Sequence, residues 1–331
     1  MSRAHRRLRS TVALTFLAVV ALFATARNAT AQAWVPPRGV GSASFTYQRI
    51  SNTGHRRTNG FLAERGQSIN MGLYIEGEYA FTDRFSVSAG LPYVFAKYVA
   101  TVAPAPPIPY PPGDECHCWN SGWQDFGFTA RYNVVGGAFA LTPSLSLGVP
   151  SHGYDYRGEA VVGRDLREVR IAVDVGRRLD MVSPKLSVQG RYSYAFVERV
   201  IDIPNNRSNA SVEVAFLLTR KLATRGLVSW QHTHGGLRFG SPPPASLLFP
   251  GEVNTPARLA QHDRLLRDNY WHVGGGLSYS FSRMDVFASY VAFVGGTDTH
   301  AGGALTAGIS WPFELAARTL IRPLPSEPAV P

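Results

Sequence analysis

The stretch 123–149, WQDFGFTARYNVVGGAFALTPSLSLGV, constrains this chain more than any other. Before Gly136-Gly137, the residues Phe126, Phe128, Ala130, Tyr132 and Val134 recur at every second position. Asp125, Gly127, Thr129, Arg131 and Asn133 fill the alternate positions. After the glycines, Phe139, Leu141, Leu145, Leu147 and Val149 alternate with Ala140, Thr142, Ser144, Ser146 and Gly148. Successive side chains on a strand point to opposite faces, so the pattern predicts a half-apolar β-hairpin closed at the glycines. Each arm runs roughly a dozen residues, against about five or six for an ordinary globular strand and about 9–11 for a tilted strand crossing a bilayer. Whether the apolar face meets protein or lipid is decided by the rest of the chain.

The same unit recurs on both sides of this hairpin. Alternating segments fall at 40–50, 70–80, 85–95, 169–175, 186–196, 211–218, 227–234, 273–281, 284–294 and 305–313, which with the hairpin arms makes twelve strands. The segment 227–234 is the least regular, and 284–294 is apolar on both faces. Link lengths sort by parity. Links 51–68, 99–121, 150–167, 198–209 and 236–267 are long and 295–300 is shorter, whereas those around Thr82, Gly136, Leu179, Lys221 and Ser282 are tight. Long loops at one end and short turns at the other are the asymmetry of an outer-membrane barrel, and a soluble sandwich has no reason to show it.

The formal charge of +10 comes from 33 basic and 23 acidic residues. Arg3, Arg6, Arg7, Arg9 and Arg27 lie in the first 31 residues, which read as an export signal: a basic start, an apolar run 11–26 and the small-residue box Ala29-Thr30-Ala31. Without those five, 28 basic residues face 23 acidic ones, a balance of +5 with no basic runs. Nucleic acid is therefore not an expected partner. Beyond the signal no apolar run approaches the about 18 residues of a membrane helix.

Barrel size orients the apolar face. About eight strands pack solid inside, and a twelve-stranded barrel is too wide for one inward layer of apolar side chains. Turning that face to lipid removes the void, and closure pairs the backbone without water. The rings of Phe81, Phe85, Tyr132, Phe139, Tyr279, Phe281, Trp311 and Phe313 gather at the short-turn ends, as an interfacial girdle does. The expected fold is all-β: a transmembrane antiparallel up-and-down β-barrel of about twelve strands over 32–313. A Pro-rich tail, 314–331, follows it on the periplasmic side or in the lumen.

Two segments carry a resemblance. Gln124-Asp125-Phe126-Gly127-Phe128-Thr129-Ala130-Arg131-Tyr132 and Leu145-Ser146-Leu147-Gly148-Val149-Pro150-Ser151-His152-Gly153 resemble the outer-membrane barrel family of phenol-degradation meta-pathway proteins. That family shows Gly-Asp ahead of an alternating strand ending in Arg-Tyr, then a strand closing on Leu-Gly-x-Pro-x-Gly. The glycine-rich 301–313 is similar to its closing strand. This chain departs from the pattern at Gln124, where glycine usually precedes the aspartate. The resemblance implies a transporter-like barrel and uptake of aromatic compounds.

Parity assigns Glu76, Glu78, Arg84, Asp125, Arg131, Arg170, Asp174, Arg191 and Glu213 to the polar, lumen-facing set. Arginine at the lipid midplane would cost about 2–4 kcal/mol, which keeps such residues inward. Mixed charges of this kind either line a selective pore or brace and partly close it as salt bridges. Cys116-His117-Cys118, in the Pro-rich second long loop, offers soft-metal ligands, although two thiols so close read more naturally as a disulfide staple. His232, His234 and Ser229 raise a surface hydrolase. On a regular strand, however, Ser229 and His232 face opposite sides, leaving only partners such as His272 or Asp263. No cofactor motif is present. The expected function is passive uptake or export of a small molecule, aromatic or hydrophobic in the direction that the resemblance implies, with outer-membrane lipid and that solute as partners. The alternative is an adhesin or receptor acting through the loops 99–121 and 236–267.

Overall fold

The computed structural model describes residues 33–63, 66–100, 117–156, 160–238 and 262–315. The segment 1–31 expected to be an export signal, most of the second long loop with Cys116, and the tail beyond Leu315 lie outside them. In chain order the elements are β1 (Val40–Arg56), β2 (Leu62–Ala63), β3 (Gly66–Ala80), β4 (Phe85–Ala100), β5 (Asn120–Trp123), β6 (Asp125–Tyr132), β7 (Phe139–Pro150) and β8 (Glu168–Arg178). There follow β9 (Leu186–Val197), β10 (Asn205–Leu217), β11 (Leu222–Gly235), the short helix α1 (His262–Leu265), β12 (Asn269–Ser280), β13 (Asp285–Thr297) and β14 (Thr299–Glu314).

Each long strand pairs antiparallel with its sequence neighbours, and β14 returns to pair with β1 from Val40↔Glu314 to Arg56↔Thr299. The sheet has no free edge at this seam, as a backbone in hydrocarbon requires. The strand β2 is a two-residue addition at the upper end of β1. The pieces β5 and β6 both pair with β4 and form one barrel position interrupted at Gln124. The cause lies opposite, at Pro92, which has no N–H to give. The Gln124 N–H donates to the Pro92 carbonyl at 2.9 Å, and the register shifts from Gly90↔Gly127 to Tyr93↔Trp123. The result is a closed antiparallel barrel of twelve strand positions, as the alternation predicts.

Several strands outrun their sequence pattern toward the long-loop end. At 17 residues and about 3.3 Å per residue, a tilted β1 rises well past the apolar band of about 25 Å. The link expected at 295–300 shrinks to Asp298 alone, at φ 52° between β13 and β14. Their mutual ladder ends at Ala292↔Gly303; above it β13 pairs with β12 and β14 with β1.

Polarity is inverted relative to a soluble barrel. Phe45, Ile75, Phe128, Leu147, Ile171, Val212, Val273 and Leu305 are exposed on the outer wall, while Ser86, Thr142, Asp174, Ser193, Gln231 and Ser278 are buried within. Phe81, Tyr132, Phe139, Trp311 and Phe313 are exposed at the short-turn end, with Phe81 edge-on to Tyr79 at 4.9 Å. A second aromatic ring, not expected from the sequence, stands at the other end. It includes Tyr93 against Trp123 at 5.1 Å, Tyr194 against Phe196 at 4.9 Å and Trp230 against Trp271 at 6.1 Å. The two rings bracket the apolar belt.

Val212 lies mid-strand on the lipid side of β10, and Asn209 lies on its other face. Val212→Arg should lower the stability of the vesicle-inserted barrel by about 2–4 kcal/mol in urea titration, and Asn209→Arg by much less. The reverse order would mean that the apolar face does not meet lipid.

Candidate functional site: the barrel lumen

At the short-turn end, the segment before β1 enters the barrel. Ala33 is fully buried; its N–H donates to Gln189 Oε1 at 3.2 Å, and its carbonyl accepts from Thr142 Oγ1 at 2.7 Å. Trp34 Nε1 donates to the Gly137 carbonyl at 2.9 Å, and the Trp34 carbonyl accepts from Arg131 Nη2 at 3.3 Å. The wall beneath has to be glycine: a Cβ on Gly176 would stand 2.5 Å from the Ala33 Cβ and 2.6 Å from the Trp34 ring. Arg131 also donates from Nη1 to Glu78 Oε1 at 2.9 Å, so it ties this strap to the wall. The strap is held by β6, β7 and β9, strands remote from it in sequence, and single-strand alternation carries no trace of it.

At the long-loop end, the connections fold inward. Tyr154 and Val162 pack on Val94, and Leu166, Ile203, Leu237 and Leu265 form a small apolar core across the mouth. Charges surround it. Arg264 donates to the carbonyls of Arg164 and Asp165 at 2.8 and 2.7 Å and lies 3.8 Å over the Tyr156 ring. Arg164 reaches Asp268 at 3.4 Å, and Asp268 also accepts from Gln231 at 3.0 Å. Glu168 is paired with both Arg170 and Arg207. The Tyr154 hydroxyl donates to Asp125 and accepts the Asp165 N–H at 2.8 Å. Burial first, then the Asp125 carboxylate, push the Tyr154 phenol well above the ordinary tyrosine range, so it stays a donor. Gln124, the departure from the family pattern, has a structural role: its side chain donates to the Val162 carbonyl at 2.9 Å and anchors the inward loop.

Between strap and mouth lies a cavity of about 300 Å³ whose lining includes Asp174, Gln189, Arg191, Ser211, Glu213 and Arg225. Arg191 Nη1 donates to both Asp174 oxygens, at 3.1 and 2.9 Å. Gln189 Nε2 donates to Glu213 at 3.0 Å while its Oε1 holds Ala33, so one amide joins cavity and strap.

The structure thus places the expected lumen set as follows. Glu78 joins Arg131, Asp174 joins Arg191, Arg170 joins Glu168, and Asp125 is held by Tyr154. Glu213 faces Arg225, and Glu76 is exposed to the lumen. Arg84 is the exception: it is exposed in the turn 81–84, outside the wall, because β4 begins only at Phe85. Glu168, Gln189, Arg207 and Arg225 belong to the site but were missed. Arg225 lies at the lumen parity of Ser229, on the part of β11 before 227 that the alternation did not include.

Cys118 is disulfide-bonded, so its sulfur is no metal-binding thiolate, and His117 is exposed beside it at φ 51°. The hydrolase geometry does not assemble around His232. Ser229 lines the cavity, whereas His232 faces outward, stacked on Trp230 at 6.1 Å and edge-on to His234 at 4.9 Å. His272 is the register partner of Ser229, but no hydrogen bond joins them; its ring lies against Tyr270 at 4.3 Å. Asp263 lies 3.6 Å from His300 in the mouth.

No family model matches the chain, and no curated protein matches it in sequence. The architecture does have counterparts among solved structures. An outer membrane channel from Pseudomonas putida F1 superposes with a TM-score of 0.63 at 10% identity, covering 87% of this chain and 100% of that one. The NanC porin follows at 0.44 and 8% identity, covering 82% and 98%, and a mutant of the TodX monoaromatic hydrocarbon channel at 0.41 and 11%, covering 85% and 91%. At these identities the first likeness establishes the barrel architecture alone, and the looser two add nothing to it.

The Asp174 side chain is only 3% exposed, so removing its partner strands a buried carboxylate. Arg191→Met should cost about 3 kcal/mol, at the low end for a buried pair because Arg191 keeps some water access. Adding Asp174→Asn should restore part of the loss in a urea double-mutant cycle.

Proposed function

We propose that this chain is an outer-membrane barrel through which small solutes pass passively, inward or outward. The observation that carries the reading is the inverted polarity: an apolar belt between two aromatic rings surrounds a lumen of hydroxyls and paired charges. Such a wall is stable in lipid and wettable within. The sequence offers no nucleotide-binding motif, so no energy input is assigned to it. Export by the segment 1–31 is part of the proposal. So is the aromatic direction implied by the phenol-degradation meta-pathway family, and a lumen rich in hydroxyls suits an aromatic solute that carries polar groups. No catalytic role is proposed.

A second reading has one observation in its favour. Leu166, Ile203, Leu237 and Leu265 pack into an apolar core at the long-loop end, as loops would in a receptor or adhesin that works through them.

Planar-bilayer recording and liposome swelling with the refolded mature protein separate the two. The channel reading expects discrete ionic currents and solute flux. Trp34→Ala or Thr142→Val, which loosen the strap, should raise the unitary conductance, and Arg131→Ala should do the same by freeing both the strap and Glu78. Absence of current and flux in the parent and in all three variants would leave the loop-based reading.

A further inference from the structure

The mid-barrel cavity has a composition that selects by charge pattern. Its ionisable lining consists of two acids, Asp174 and Glu213, and two arginines, Arg191 and Arg225. The pairs are not equivalent. Asp174 and Arg191 are engaged with each other by two hydrogen bonds of 3.1 and 2.9 Å, and the Asp174 side chain has almost no exposure. The Asp174 carboxylate is therefore taken, and Arg191 has committed Nη1 to it and balances its charge. Glu213 and Arg225 stand 3.7 Å apart, beyond the 2.7–2.9 Å or so of a charge-assisted hydrogen bond. The Arg225 side chain is 35% exposed and that of Glu213 is 19% exposed. The guanidinium carries five N–H donors in a fixed fork, while Glu213 uses one oxygen for Gln189. Both members of this pair therefore have unused hydrogen-bonding capacity directed at the same space.

Their neighbours extend the polar surface. Ser211 and Ser229 are direct register partners on β10 and β11, and both line the cavity beside the pair. Leu227 and Val291 supply its apolar contact. A solute with net charge would leave one member of a balanced site opposed, whereas a purely apolar one would leave both ions without exchange for the water it displaces. A solute bearing one anion and one cation close together meets neither cost. Resting on the reading of this barrel as a small-solute channel, we propose that the cavity is a binding site for small amino-acid-like zwitterions. The carboxylate is taken by the Arg225 fork, the ammonium by Glu213, and the Ser211 and Ser229 hydroxyls complete the polar contacts. A volume of about 300 Å³ admits a compact molecule of this class.

The test is equilibrium binding to the refolded full barrel in detergent, which needs no conduction, read by saturation-transfer NMR with alanine, propionate, ethylamine and glycerol at neutral pH. Alanine should show saturable transfer that exceeds that of the other three several-fold. Arg225→Gln should abolish the preference. Glu213→Gln should shift it toward propionate, a direction that mere loss of folding would not produce. A Ser211→Ala variant, which keeps both ions, should retain alanine binding at reduced affinity and so report on any general disruption. Equal signals from alanine and glycerol, or an alanine preference unchanged in Arg225→Gln, would overturn the proposal. Ionic current without alanine binding would sink this site and spare the channel; alanine binding without current would do the opposite.

Discussion

Every backbone N–H and C=O that enters hydrocarbon has to find its partner within the protein, and the β1–β14 seam meets that demand for this sheet. The pairing of Val40 with Glu314 through to Arg56 with Thr299 turns an open ladder into a wall without an edge. Closure at twelve positions sets the width of the interior, and the width decides which face can point inward. Phe128, Leu147 and Val212 can then be spent on lipid, and Thr142, Asp174 and Gln231 must share a lumen.

A lumen of that width cannot be filled by its own wall, and the molecule fills it from both ends with chain that belongs to no strand. Below, the strap at Ala33 and Trp34 takes hydrogen bonds from Thr142 and Arg131 that the wall alone would have to satisfy with water. Above, Tyr154, Leu166 and Leu265 bring the apolar side chains that the inner wall lacks. The cavity is what remains between the two, and Gln189 touches both the cavity and the strap. Strap and cavity thereby share one side chain.

How much of this was legible in the sequence follows from the range of each interaction. Strand identity, the parity of loops and the sidedness of Asp125, Arg131, Asp174 and Glu213 are local, because a pleated strand alternates by geometry whatever it pairs with. Arg84 was misplaced because alternation does not mark where a turn takes over from a strand. Arg225 was passed over because its strand holds Leu227 on the lumen face, which breaks the polar pattern just where the cavity forms. The aromatic ring at the long-loop end was missed for a related reason: the strands stay regular well beyond the point where their apolar residues thin out.

The sequence by itself determined the barrel, its strand number and the direction of its apolar face, because period-two alternation and sorted loop lengths act through the chain's own geometry. Only the tertiary structure decided what the lumen is. The partners of each inward charge, the strap against Gly176, the loops across the mouth and the loose Glu213–Arg225 pair all join residues on different strands. Their placement depends on register and closure, and these are properties of the assembled sheet rather than of any one strand.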